Sequence, residues 1–156
     1  MSEAKLKRYG RLSNQIAELI APVPNPVARM ATITAVLHHK IKYFFWTGFY
    51  LLDQGNLYVG PYQGPLACLK LKENTGVCWA GIMQQESIIV PDVEKFPGHI
   101  ACSSLSKSEI VIPLKDQAGK ITGVFDVDSR ELNAFDEIDR TGLEQIINMV
   151  YLSSNL

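Results

Sequence analysis

Three cysteines and three carboxylates have the side chains suited to combined thiol and proton-transfer chemistry: Cys68, Cys78, Cys102, Glu109, Asp126 and Asp128. Cys102 lies in PDVEKFPGHIACSSLSKSEIVIP (residues 91–113), a loop punctuated by Pro91, Pro97 and Gly98 between two strand-like runs. Reactive groups are commonly placed on loops held by such a scaffold. His99, three residues before Cys102, is the local group able to stabilise a thiolate, and it also reads as a plain loop residue. Three cysteines cannot all pair within one chain, so reactive or buried free thiols are expected. Each cysteine is equally compatible with a small buried apolar residue.

Period-2 alternation sorts the carboxylates. In KITGVFDVDS, Phe125 and Val127 point one way and Asp126 and Asp128 the other, their backbones roughly 6 to 7 Å apart. In SEIVIPL, Ile110, Ile112 and Leu114 share the core face, leaving Glu109 opposite. In WTGFYLL, Trp46 and Tyr50 share a face with Gly48 between them. Convergence of these faces would make a pocket with aromatic walls, three acids and a nearby thiol. Taken singly, each acid also reads as a solvated charge on the sheet, and the aromatics as a second apolar cluster.

The elements that must position these residues are legible in the periodicity. Leu6, Tyr9, Leu12, Ile16 and Leu19 or Ile20 recur at helical spacing over residues 3–20. Asn25 and Pro26 then cap a second helix whose stripe is Val27, Met30, Ile33, Thr34, Leu37 and Ile41, with His38 and His39 near its C-terminal dipole. The alternating runs WTGFYLL and LYVGPY flank the turn DQGN. Thr75 and Gly76 open a short helix to about Gln85, SIIVPD reads as a strand, and SEIVIPLK and KITGVFDVDS form a second hairpin. Asp136 caps a last helix running through Leu143 to Tyr151. Terminal helices around hairpin-linked strands predict an α+β fold with an antiparallel sheet.

The bulk numbers agree with one globular domain over residues 1–156: 47% of residues are hydrophobic, 20% are charged and the formal net charge is -1. The charge balance argues against nucleic-acid and anionic-membrane partners. No signal peptide or membrane span is evident, so a cytoplasmic location is expected. A zinc site from the three cysteines and His99 lacks paired C-x-x-C spacing, so no metal is expected.

Between Trp46 and Leu143, the segments WTGFYLL, VGPYQGPLAC, TGVCWAG, IIVPDVEKFPGHIACSSLSKSEIVIPL and GVFDVDS together resemble the GAF-domain free methionine-(R)-sulfoxide reductases. The resemblance implies a GAF-like fold, a central antiparallel sheet of about six strands flanked by N- and C-terminal helices, as a homodimer. It implies reduction of free L-methionine-(R)-sulfoxide, a role in oxidative stress, no bound cofactor, thioredoxin as reductant and NADPH indirectly through thioredoxin reductase. It assigns Cys102 as the catalytic cysteine, Cys68 as the resolving cysteine and Cys78 as a third cysteine of the site. Trp46, Tyr50, Glu109, Asp126 and Asp128 match substrate-pocket positions. One departure is Trp79, which follows Cys78 where the family usually has glycine. A non-catalytic GAF module that binds a small ligand or senses redox state is the alternative; the missing linker and output domain disfavour it.

The implied chemistry makes a demand that can be checked against the residues. A thiolate must attack sulfur while an acid protonates the sulfoxide oxygen. Nearby carboxylates oppose thiolate formation, but three clustered acids also raise one another's pKa, so one is expected to keep a proton near neutral pH. The expected division is one or two acids for the substrate ammonium and one for the oxide. The resulting sulfenic acid on Cys102 then needs a second thiol, which the resemblance assigns to Cys68 with Cα atoms within about 7 Å.

Overall fold

The computed structural model describes residues 2–99 and 102–153, so Ile100 and Ala101 of the cysteine loop lie outside the described residues. Helices α1 (Ser2–Ile20) and α2 (Pro26–Lys40) are followed by strands β1 (Trp46–Asp53) and β2 (Asn56–Gln63). Helix α3 (Gly76–Gln84), β3 (Ile88–Val90), a 3-10 turn (Val93–Lys95), β4 (Ser108–Lys115), β5 (Ile121–Ser129) and α4 (Glu137–Ile147) complete the order. No helix among the described residues is long and apolar enough to cross a membrane.

The sheet has five strands in the order β2-β1-β5-β4-β3, all antiparallel, so the α+β expectation holds while the count of about six does not. The chain after β2 returns beside it, but only as an isolated bridge between Tyr58 and Lys70, with Leu69 O accepting from Val59 N and Leu71 N donating to Leu57 O. Gly64 and Pro65 precede this return, and a chain turning there cannot extend the ladder into a sixth strand.

On one sheet face, Phe49 stacks obliquely on Phe125 with ring centroids 5.0 Å apart, among Ile110, Ile112, Leu114 and Val127. Helices α1, α2 and α4 cover this face with Tyr9, Leu12, Ile16, Ile20, Met30, Ile33, Leu37, Leu143, Ile146 and Ile147. Truncating either phenylalanine to alanine is expected to cost about 3–5 kcal/mol. Leu6, Leu19 and Val27, expected in the helical stripes, are exposed, since the buried positions of α1 are Tyr9, Leu12, Ile16 and Ile20 and burial on α2 begins at Arg29.

Capping explains the ends of the helices. Asn25 accepts from Ala28 N at 2.9 Å. Asp136 accepts from Ile138 N and Asp139 N, and Asp139 completes a capping box by accepting from Asp136 N at 2.8 Å. The fully buried Asp139 also accepts from Tyr9 and Tyr43 hydroxyls at 2.7 and 2.6 Å and from Lys5, which ties α1 to α4. Helix α4 ends at Ile147 instead of Tyr151 because the next turns tighten to i→i+3 bonds, Met149 N to Ile146 O and Val150 N to Ile147 O. Arg29 then takes the carbonyls of Met149 and Leu152 at 3.0 and 2.6 Å.

At the end of α2, His38 Nδ1 meets Thr47 Oγ1 at 3.1 Å, and burial lowers the pKa of the ring, so His38 is a neutral hydrogen-bond partner and not the dipole-pairing cation expected.

Candidate active site

The opposite sheet face carries the chemistry. The β1–β5 register pairs Trp46 with Asp128 and Gly48 with Asp126, and the β4–β5 register pairs Glu109 with Asp128 and Val111 with Asp126. Trp46, Asp128 and Glu109 therefore form one row across three strands, and Gly48, Asp126 and Val111 the row beside it. Alternation does place the three acids and the aromatics on one face, as the sequence predicts.

Beneath them lies a second apolar cluster of Trp46, Tyr50, Leu57, Val77, Cys78, Trp79, Val90, Val93, Val111 and Val124. A cavity of about 210 Å³ opens above it, lined by Trp46, Tyr50, Cys68, Cys78, His99, Cys102, Glu109, Asp126 and Asp128. All eight site residues named from the sequence, with His99, thus share one space. Its small volume suits a metabolite of amino-acid size and not a polymer segment.

The two cysteines expected to pair are joined: Cys68 and Cys102 form a disulfide with Cα atoms 5.7 Å apart across 34 positions of chain. Cys78 remains a free, buried thiol. The Cys102 loop is seated on the start of α3 through two glycines at positive φ, Gly76 (+88°) and Gly98 (+73°). A side chain at Gly98 would meet Thr75 Cγ2 at 3.3 Å, so the close approach favours glycine there for two reasons.

The aromatic wall is a three-ring stack. Trp46 lies between Tyr50 and Tyr62, with centroids 5.6 and 5.4 Å away and interplanar angles of 22° and 18°. Gly48 makes this possible, because a Cβ there would clash with Tyr62 and sit 2.8 Å from Trp46 Cη2. Tyr62 was not singled out by the sequence; its register opposite Gly48 is the signal that finds it. Trp79 packs in the apolar cluster without lining the cavity, so the departure at this position thickens the floor and leaves the thiol wall in place.

Burial dominates the electrostatics. It pushes the pKa of Glu109, Asp126 and Asp128 up; Asp126 further raises Glu109 and Asp128, while hydrogen bonds from Glu109 and Cys78 partly offset the rise at Asp126. The Cys78 thiol is also pushed up by burial, and then by Asp126, Glu109 and Asp128. Asp126 Oδ1 and Trp46 Nε1 are buried without a protein partner, leaving an acceptor and a donor for whatever enters.

His99 Nδ1 stands 3.9 Å from Glu109 Oε2, and burial lowers the imidazole pKa, so it is neutral at neutral pH. A neutral ring brings no positive charge to the Cys102 loop. Cys78, Glu109 and Asp126 bring one potential ligand atom each within 4.8 Å of one another, so any positive group entering the cavity meets three donors at once.

The geometry can be set beside known proteins. No family model matches the chain. It is 51% identical over 148 residues to GAF domain-containing protein A of Dictyostelium discoideum, covering 94% of this chain and 92% of that protein. It is 36% identical over 143 residues to the free methionine-R-sulfoxide reductase of Escherichia coli K12, covering 92% of this chain and 86% of the relative. The chain belongs to the free methionine-R-sulfoxide reductase family. Among solved structures, a free methionine-R-sulfoxide reductase from Neisseria meningitidis, in complex with its substrate, superposes with a TM-score of 0.87 at 40% identity, covering 92% of this chain and 86% of that one. The fold is therefore that of a GAF domain, and this chain carries its cysteines and carboxylates on the side of the sheet opposite the main helical core.

Proposed function

We propose that the protein reduces free L-methionine-(R)-sulfoxide to methionine by thiol chemistry at this cavity. The observation that carries the reading is that the Cys68–Cys102 disulfide borders a small cavity in which burial raises the pKa of Glu109, Asp126 and Asp128. A disulfide at such a site is the oxidised end of a reductase cycle.

In the reduced protein, the Cys102 thiolate attacks the sulfoxide sulfur as an acid among Glu109, Asp126 and Asp128 protonates the oxygen. Oxygen passes to Cys102 as a sulfenic acid and methionine leaves, so the substrate is reduced by two electrons and the thiol oxidised by two. Cys68 then displaces hydroxide from the sulfenic sulfur, which departs with the thiol proton as water, and the disulfide results. An external dithiol, with thioredoxin the candidate, restores both thiols.

The same cavity suits a zwitterion. The remaining carboxylates meet the ammonium, Asp126 Oδ1 being unpartnered. Thr75 hydrogen-bonds Glu73 O in place of capping α3, and Thr75, Gly76 and Val77 line the cavity, so backbone N–H groups face the substrate carboxylate. Trp46 and Tyr50 cover the thioether portion. Cys78, its thiol raised in pKa by burial and set close to Asp126, is not the nucleophile.

The test is NADPH consumption with thioredoxin, its reductase and either epimer of free methionine sulfoxide. Turnover confined to the R epimer and abolished in Cys102→Ser is expected. No turnover of either epimer would move the protein to the class of binding modules.

A further inference from the structure

The Tyr50 hydroxyl donates to the backbone carbonyl of Cys68 at 3.0 Å. Between Gly64 and Cys68 this is the one hydrogen bond among the described residues, since backbone pairing resumes only at Leu69 and Leu71. Beyond that bond the segment is held by the disulfide and by packing of Ala67 and Gly64 against the aromatic cluster. Tyr50 is well suited to hold it: its ring is buried at 3% exposure and stacked on Trp46, so the hydroxyl has a fixed position.

We propose that Tyr50 is a positioning residue for disulfide formation, its hydroxyl orienting the Cys68 peptide so that Cys68 Sγ reaches the sulfenic acid on Cys102. This rests on the reductase reading above and adds to it a second role for a residue otherwise assigned to the substrate wall. In the step concerned, the S–S bond forms as the Cys102 S–O bond breaks, and the Cys68 thiol proton leaves with the hydroxide as water. The hydrogen bond acts on the approach of Cys68, not on attack at the substrate. Burial, followed by the charges of Asp126 and the neighbouring acids and thiol, raises the tyrosine pKa, so the hydroxyl remains a donor across the working range.

The test is Tyr50→Phe, which keeps the stacked ring and removes the donor. After one equivalent of sulfoxide without external reductant, the sulfenic acid is trapped with dimedone at timed intervals. Loss of one neutral hydrogen bond is expected to lengthen its lifetime by about five-fold. The same bond favours the oxidised form, so the equilibrium constant of the Cys68–Cys102 disulfide against glutathione should fall by about five-fold in the variant. A purely structural role would instead lower the melting temperature of the reduced and oxidised protein alike and leave the glutathione equilibrium unmoved. An unchanged sulfenic lifetime and an unchanged equilibrium in a folded variant overturn the proposal. Absence of methionine release from the unmodified protein, with the glutathione equilibrium still shifted, would instead count against the reductase reading and leave the Tyr50 tether standing.

Discussion

Glu109 and Asp128 stand opposite each other across the β4–β5 ladder, in one row with Trp46, which pairs with Asp128, and burial holds both carboxyls above the ordinary carboxylate range. Two like groups placed in register would repel if both were ionised. The arrangement is stable because the site keeps protons, and this has consequences that can be measured.

Stability should depend on pH in the direction opposite to that of a salt-bridged acid. Between the ordinary carboxylate pKa and the raised one, the folded protein binds more protons than the unfolded chain, so stability is greatest below that window and falls as pH rises through it. Glu109→Gln and Asp128→Asn should therefore raise the melting temperature near pH 7.5, by roughly 2–4 °C for each kcal/mol gained. The gain should vanish towards pH 4, where the unmodified acids are already protonated. Calorimetry across that range checks the sign.

Activity should move the other way. Each of Glu109→Gln, Asp126→Asn and Asp128→Asn removes a charge-assisted contact or the proton donor, and kcat/KM is expected to drop about 10- to 100-fold in each. Steady-state assays with the R epimer measure this. Three variants with full turnover would contradict the proposed roles of the acids.

Recognition of both charged ends of the substrate predicts a strong bias towards the free amino acid. N-acetylation removes the ammonium and leaves the carboxylates unpaired in a buried site, so N-acetylmethionine sulfoxide should be turned over at least about 100-fold less efficiently. Side-by-side kcat/KM values decide the point.

Reduction should loosen the protein. The disulfide closes 34 positions of chain, for which loop-closure entropy gives at most about 4 kcal/mol. Melting curves with and without dithiothreitol should differ by several degrees in the unmodified protein and coincide in Cys68→Ser.

Gly48→Ala is expected to cost about 1–3 kcal/mol, because the added methyl strikes Tyr62 and the Trp46 edge. Near-ultraviolet circular dichroism of the aromatic stack, together with the melting temperature, reports the effect.

Much of this was legible before any coordinates. The alternation in KITGVFDVDS and SEIVIPLK was enough to put Asp126, Asp128 and Glu109 on one face, since strand geometry is local. Asn25 and Asp136 announced their helices for the same reason. What needed three dimensions was pairing across elements. Tyr62 joins the stack only through its register with Gly48, Asp139 reads as a helix surface residue until Lys5, Tyr9 and Tyr43 converge on it, and the Tyr50 to Cys68 bond spans two segments with no shared period. The fate of His99 depended on burial, which no spacing reveals.

The same three strands serve two masters without sharing side chains: Phe49, Ile110 and Phe125 face the helices, while of their immediate neighbours in the chain Glu109 and Asp126 line the cavity and Gly48 lies under the Trp46–Tyr62 stack. Substrate preference can therefore be tuned from positions that do not touch the helical core, which is packed by the positions between. A lineage carrying this scaffold can exchange one chemistry for another while the helical core stays as it is.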